Sequence, residues 1–369
     1  MDRPPFRADM VGSLLRPQEL KEARTARAEG RIDDAALRAV EDRLIRDAVA
    51  RQRELGLTAV TDGEYRRAWW HFDFLAGLEG VELVHGERAI QFHGVTTKSD
   101  SIRVTGRVGF GDHPMLADFR YLAAVCPPGA VPKMTIPSPS VLHFRGGRAA
   151  ISREVYLDLD AFYADTAEAY RKAILAFHDA GCRYLQLDDT VWAYLCSEKE
   201  REAARARGDD PEPLPAIYRD MIRHALRDKP ADMTVTTHVC RGNFRSSWIA
   251  EGGYEPVAEI LLGETGYDGY FLEYDTERAG GFEPLRFLPK GRQRVVLGLV
   301  TSKFGKLEDP GALRARVEEA AQFVPIDQLC LSPQCGFAST EEGNLLTEEA
   351  QWAKLRLVVD TARTIWPDA

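Results

Sequence analysis

Apolar positions along the chain follow two rhythms. Short β-rich apolar runs recur, each ending in polar or small residues, and between them lie longer stretches with helical periodicity. Eight runs stand out: residues 7–13 (RADMVGS), 58–64 (TAVTDGE), 131–137 (VPKMTIP), 183–189 (RYLQLDD), 233–240 (MTVTTHVC), 269–275 (GYFLEYD), 294–301 (RVVLGLVT) and 328–335 (QLCLSPQC). The stretches between them read as amphipathic helices, notably 35–55 and 159–180, the latter behind a capping Asp158 and stopped by Gly181. Strand then helix, eight times over, predicts an α/β fold, a (β/α)8 TIM barrel. A doubly wound open sheet is the alternative. The barrel is favoured because chemically capable residues gather at the C-terminal end of nearly every run, where barrel enzymes assemble their sites.

Two segments break the repeat. Residues 81–111 alternate apolar and polar positions with Gly turns, predicting a β-hairpin inserted after the second strand. Residues 197–216, a charged run containing GDDPEP, read as a solvated helix and loop. Residues 1–369 are therefore expected to form a single catalytic barrel domain with these two excursions.

Composition narrows the function. At 369 residues with 44% hydrophobic and 28% charged positions, the chain has the make-up of a soluble globular protein with a substantial core. A net charge of -9 leaves no basic excess for a phosphate backbone or an anionic membrane. With neither a signal-like segment nor a membrane-length apolar stretch, the expected location is the cytoplasm; a homo-oligomer stays open. Six cysteines are too few for a disulfide scaffold, so free thiols or metal ligands are expected.

The candidate chemistry sits in THVC, FLEYD and SPQCG. His238 and Cys240, two apart on an extended run, project from the same face, and Glu273 and Cys335 end two other runs. Two thiolates, an imidazole and a carboxylate form a tetrahedral set suited to Zn2+. An isolated His-x-Cys is more often core packing; the added Glu273 and Cys335, with Gly242 and Gly336 leaving room beside them, raise its weight. Zinc deprotonates a bound thiol, and thiolate ligands keep the bound sulfur electron-rich, so the set points to thiol alkylation rather than hydrolysis. Cys126, Cys182, Cys196 and Cys330 read as ordinary packing.

These motifs resemble the catalytic domain of the cobalamin-independent methionine synthase family, in particular its short single-barrel relatives, over nearly the whole chain. The resemblance implies zinc held by His238, Cys240, Glu273 and Cys335, and a methyltransferase like the 5-methyltetrahydropteroyltriglutamate-homocysteine S-methyltransferases, converting homocysteine to methionine. Gly12 and Ser13 match the family's Gly-Ser turn for the amino acid carboxylate. Glu64 and Asp188 match the two acids that hold its ammonium. Asp189 is expected to point the other way and cap the next helix. Thr301 and Tyr194 stand where the family's donor-side residues fall, which leaves the methyl donor open between methyl-folate and a corrinoid protein. Trp69, Trp70 and Phe144 are candidates for a platform under a flat donor. Two alternatives remain: a zinc-dependent thiol alkyltransferase of the epoxyalkane:coenzyme M type, and a non-catalytic thiol- or metal-binding barrel.

Overall fold

Seven of the eight apolar runs form parallel strands: β1 (Ala59–Val60), β2 (Val131–Pro137), β3 (Tyr184–Asp189), β4 (Thr234–Val239), β5 (Gly269–Glu273), β6 (Arg294–Val300) and β7 (Leu329–Pro333). The computed structural model describes residues 3–85, 91–92, 95–96, 100–243 and 245–367. The seven strands hydrogen-bond in chain order into one curled sheet, with helices between most successive strands.

The first run departs from expectation, forming a single parallel bridge, Ala8 to Leu331, instead of a strand. It still lies between the sheet's two edges. Asp9 N donates to Leu331 O on β7 at 3.0 Å, and Leu14 N donates to Gly63 O just beyond β1 at 3.0 Å. Side chains have replaced the ladder here. Asp9 carboxylate oxygens accept from the amides of Phe6 and Met10, while Lys133, Gln186 and Thr61 donate to the carbonyls of Met10, Val11 and Gly12. With those backbone groups satisfied from the barrel interior, little remains for a regular strand.

Alternation along the strands divides inside from outside. On β3, Leu185 and Leu187 join the large core beneath the helices, whereas Tyr184 packs inside the barrel with Phe6, Val11, Phe271, Val296 and Cys330. Beside this layer Lys133 meets Asp9 at 3.3 Å, both side chains fully enclosed, and lies over the Tyr184 and Phe271 rings. Further up the same inward rows stand Gln186 and Asp188 on β3, Thr236 and His238 on β4, and Glu273 on β5. The interior therefore turns from apolar to ionisable toward the C-terminal rim.

The expected hairpin is present: Glu79–His85 pairs antiparallel with Asp100–Gly109, and Gln91–Phe92 with Val95–Thr96 beyond it. Residues 86–90, 93–94 and 97–99 of that stretch lie outside the described residues. The 197–216 stretch contains the helix Glu198–Ala206 and the start of Leu214–Leu226. The two periodic helices form at Asp34–Leu55 and Leu159–Asp179. Asp158 caps the second, accepting from Ala161 N at 3.1 Å. Asp158→Ala is expected to lower the unfolding free energy by ~1 kcal/mol without changing activity, as checked by denaturant titration.

Candidate active site

The four side chains predicted as ligands meet at the rim. His238, Cys240, Glu273 and Cys335 are all buried, and one ligand atom from each lies within 4.8 Å of the others. Register explains the meeting. Asp188 pairs with His238 across β3 and β4, and Glu273 pairs with Gly298 across β5 and β6, where a side chain at 298 would strike the backbone of Gln334 and Leu272. Cys240 follows β4 directly, held by its amide to Asp189 O at 3.0 Å.

The donor set fits a zinc ion. Its bonds of about 2.0–2.3 Å in a tetrahedron place sulfur ligands about 3.8 Å apart. The Cys240 and Cys335 sulfurs are 3.5 Å apart. Both His238 ring nitrogens and Glu273 Oε2 are buried with no hydrogen-bond partner, as atoms reserved for another ligand would be. Backbone amides orient the rest: Arg241 N donates to Glu273 Oε1 at 3.1 Å and Gly242 N to Cys240 Sγ at 3.3 Å. The bond from Cys240 and the neighbouring His238 hold the Cys335 thiol well below its ordinary range, while the same bond and burial push Cys240 up. One proton shared between two sulfurs is the state a divalent cation would displace.

Beside this cluster opens a pocket. Ser13, Glu64, Asp188, His238, Cys240 and Cys335 all line it. Gly12 does not; its carbonyl accepts from Thr61 Oγ1 at 2.6 Å, and a side chain there would meet Thr135 and Glu64. The absent side chain leaves room for Glu64. Ser13 faces Gly336 so closely that a Cβ on 336 would come within 1.9 Å of the Ser13 hydroxyl.

Glu64 sits in a tight, strained turn with φ of 59°. Asp62 accepts from its amide at 2.8 Å. Arg16, buried, donates to the carbonyls of Glu64, Arg67 and Ala338, binding this turn to the loop after Cys335. Such over-determination is what lets a non-glycine residue keep a positive φ. Burial raises the Glu64 pKa against the opposing charges of Arg67 and Arg16. Burial likewise raises Asp188 to about 7, against the pull of His238, with Glu64 adding to the rise. Two acids that burden each other across a pocket are stabilised by a shared cation. Asp189 points away, accepting from Ser140 and from Val191 N at the next helix, as its alternate position on β3 requires.

Trp69 and Trp70 line the pocket; Phe144 packs instead on Tyr194 with ring centroids 5.7 Å apart. Thr301 gives its amide to Glu308 at 2.9 Å. Several residues carried no legible signal: Arg16, Arg145, Asn243, which donates to Gly336 O at 2.7 Å, and Lys303, a buried ammonium whose charge acts on Glu273, Cys240 and Cys335. Each is distant in sequence from the motif it serves.

The barrel and its rim define the class, an α/β-barrel protein with a candidate metal-binding pocket at the C-terminal ends of its strands. The chain belongs to the cobalamin-independent synthase catalytic-domain family, whose profile matches residues 6–364. It is 55% identical over 362 residues to the Bacillus subtilis (strain 168) protein YxjH, covering 98% of this chain and 95% of that one. A Listeria monocytogenes structure, provisionally assigned as a vitamin-B12 independent methionine synthase, superimposes with a TM-score of 0.80 at 45% identity, covering 98% of each chain. The 5-methyltetrahydropteroyltriglutamate–homocysteine methyltransferase of Aeromonas salmonicida (strain A449) is 24% identical over 337 residues, 88% of this chain but 39% of that longer protein. Among the described residues, no helix is long and apolar enough to cross a membrane.

Proposed function

We propose that this chain is a zinc-dependent thiol S-methyltransferase that converts homocysteine to methionine. The observation that carries the reading is the meeting of two thiols, an imidazole and a carboxylate within 4.8 Å at the inner end of a pocket lined by two buried acids. His238, Cys240, Glu273 and Cys335 would hold the ion, which when bound supplies the Lewis acidity that keeps a substrate thiol deprotonated at neutral pH.

The rest is the work of the chain's own residues. Glu64 and Asp188 hold the substrate ammonium, and the Ser13 hydroxyl and nearby amides receive its carboxylate, so the side-chain sulfur is directed toward the cysteine pair. Buried walls exclude water from the nucleophile. In the transfer, a sulfur lone pair forms the new S–CH3 bond as the donor–CH3 bond breaks, and that electron pair leaves with the donor.

The reading is tested by incubating zinc-loaded protein with homocysteine and, in turn, methyl-folate mono- and polyglutamates, methylcobalamin and S-methylmethionine. Methionine from at least one donor supports it. No methionine from any donor, together with no homocysteine-induced thermal shift, contradicts it. Gly336→Ala is expected to displace Ser13 and cost at least tenfold in kcat/KM for homocysteine, about 1.4 kcal/mol, measured by steady-state kinetics at unchanged zinc content.

A further inference from the structure

Among the described residues three lysines are buried: Lys133, Lys303 and Lys354. Lys133 is paired with Asp9 at 3.3 Å and donates to the Met10 carbonyl. Lys354 is paired with Glu308 at 2.9 Å and donates to the Lys306 carbonyl at 2.7 Å. The Lys303 ammonium is buried with no hydrogen-bond partner. An ammonium taken from water without a partner costs free energy, so Lys303 is not placed for stability.

The loop after β6 inverts the ordinary sorting of residues, because Lys303 is 2% exposed while Phe304 is 58% exposed. Clamped backbone turns the lysine inward. Ser302 N and Oγ each donate to Gln334 Oε1 at 2.7 Å, Asn344 Nδ2 donates to the Ser302 carbonyl at 2.9 Å, and Ser246 Oγ donates to the Lys303 carbonyl at 2.7 Å. These bonds join the segments that follow β4, β6 and β7. Sheet order then sets what Lys303 faces: β6 lies between β5, which ends in Glu273, and β7, and Gln334 directly precedes Cys335. Lys303 is not part of the pocket wall. Burial raises the Glu273 carboxyl, and the Lys303 charge is the strongest influence opposing that rise. The same charge acts on Cys240 and Cys335. Arg241, another buried cation near Glu273, is engaged over the Tyr254 ring, 4.4 Å from its centre.

Two thiolates and a carboxylate around one divalent cation leave a net negative charge, and a substrate thiolate adds to it. In an enclosed site that surplus is costly unless a cation answers it. We propose that Lys303 is a positioning residue for the nucleophile, an ammonium held outside the four ligand side chains that offsets the charge added when a substrate thiolate joins them. The inference rests on the thiol-methylation reading and adds to it the group that favours an ionised sulfur over a neutral one. It accounts for the missing partner, since a dedicated carboxylate would cancel the charge that the incoming thiolate needs. A thioether sulfur gains nothing from Lys303, so the same ammonium favours substrate over methylated product.

Calorimetric titration of zinc-loaded protein with homocysteine and with methionine tests this, because the two share an ammonium and a carboxylate and differ in whether the sulfur can ionise. Wild type is compared with Lys303→Met and Lys303→Gln, which remove the charge, and Lys303→Arg, which keeps it. Homocysteine is expected to bind the two neutral variants about tenfold or more weakly, with Lys303→Arg recovering part of the loss, while methionine binds all four proteins alike. Zinc content should not fall in the neutral variants, since removing a neighbouring positive charge does not disfavour a cation. The proposal is overturned if a neutral variant binds homocysteine as tightly as wild type, if methionine affinity falls in parallel, or if zinc is what the neutral variants lose. Failure of wild type to bind homocysteine overturns the thiol reading instead.

Discussion

Cys335→Ala is expected to lower zinc affinity by more than 100-fold and to abolish methyl transfer while leaving the barrel folded. Loss of a mere supporting contact to a metal ligand costs 10–100-fold, and removal of a ligand costs more. Cys335 lies beyond the end of β7, and the ordered layers beneath it, from Cys330 and Phe271 to the Lys133–Asp9 pair, do not depend on it. Cys240→Ala should behave alike, because the two sulfurs at 3.5 Å would together supply half of the coordination shell. Zinc content after dialysis against a chelator, with far-ultraviolet circular dichroism on the same samples, decides the matter. Unfolding of either variant would make the metal structural, and full zinc retention would remove that sulfur from the site.

The second large effect belongs to the acid pair. Glu64→Gln is expected to raise the homocysteine KM by about 100-fold, near 3 kcal/mol, because it removes one of two desolvated carboxylates facing the ammonium. Zinc content and kcat should change little, since Glu64 touches none of the four ligands and its own bond is to Thr135 Oγ1 at 3.0 Å. The fold should hold, because Arg67, 3.7 Å from the Glu64 carboxylate, keeps its bonds to the Thr135 carbonyl and hydroxyl. Asp188→Asn should act in the same direction, and its carboxyl, bound by Gln186 at 2.7 Å, leaves room for that exchange. Steady-state kinetics at saturating donor separate KM from kcat. An unchanged KM in both variants would place the ammonium elsewhere.

Much of this site was legible because barrel geometry converts sequence position into place. A residue that ends a strand reaches the rim, so His238, Cys240, Glu273 and Cys335 could be read together from separate stretches, and Glu64 and Asp188 followed by the same rule. The hairpin at Glu79–Gly109 was legible from alternating apolar and polar positions with Gly turns. The first run was less so, because an apolar pattern predicts extended chain but not which partners take its hydrogen bonds; here Lys133, Gln186 and Thr61 take them. Arg16, Asn243 and Arg145 were invisible for a related reason. Each acts through backbone or ring partners far along the chain, such as Arg16 on the Ala338 carbonyl, and no local spacing announces such a pairing. Gly12, expected at the substrate carboxylate, is also a position where a side chain would crowd Thr135 and Glu64, a requirement that depends on packing at the level of single atoms.

X-ray absorption at the zinc edge tests the central claim most directly. Zinc-loaded protein should show two sulfur neighbours at about 2.3 Å with the remaining shell of nitrogen and oxygen, and added homocysteine should raise the sulfur count to three. A shell of oxygen and nitrogen alone, or a sulfur count that homocysteine leaves unchanged, would contradict a thiol activated at these four side chains.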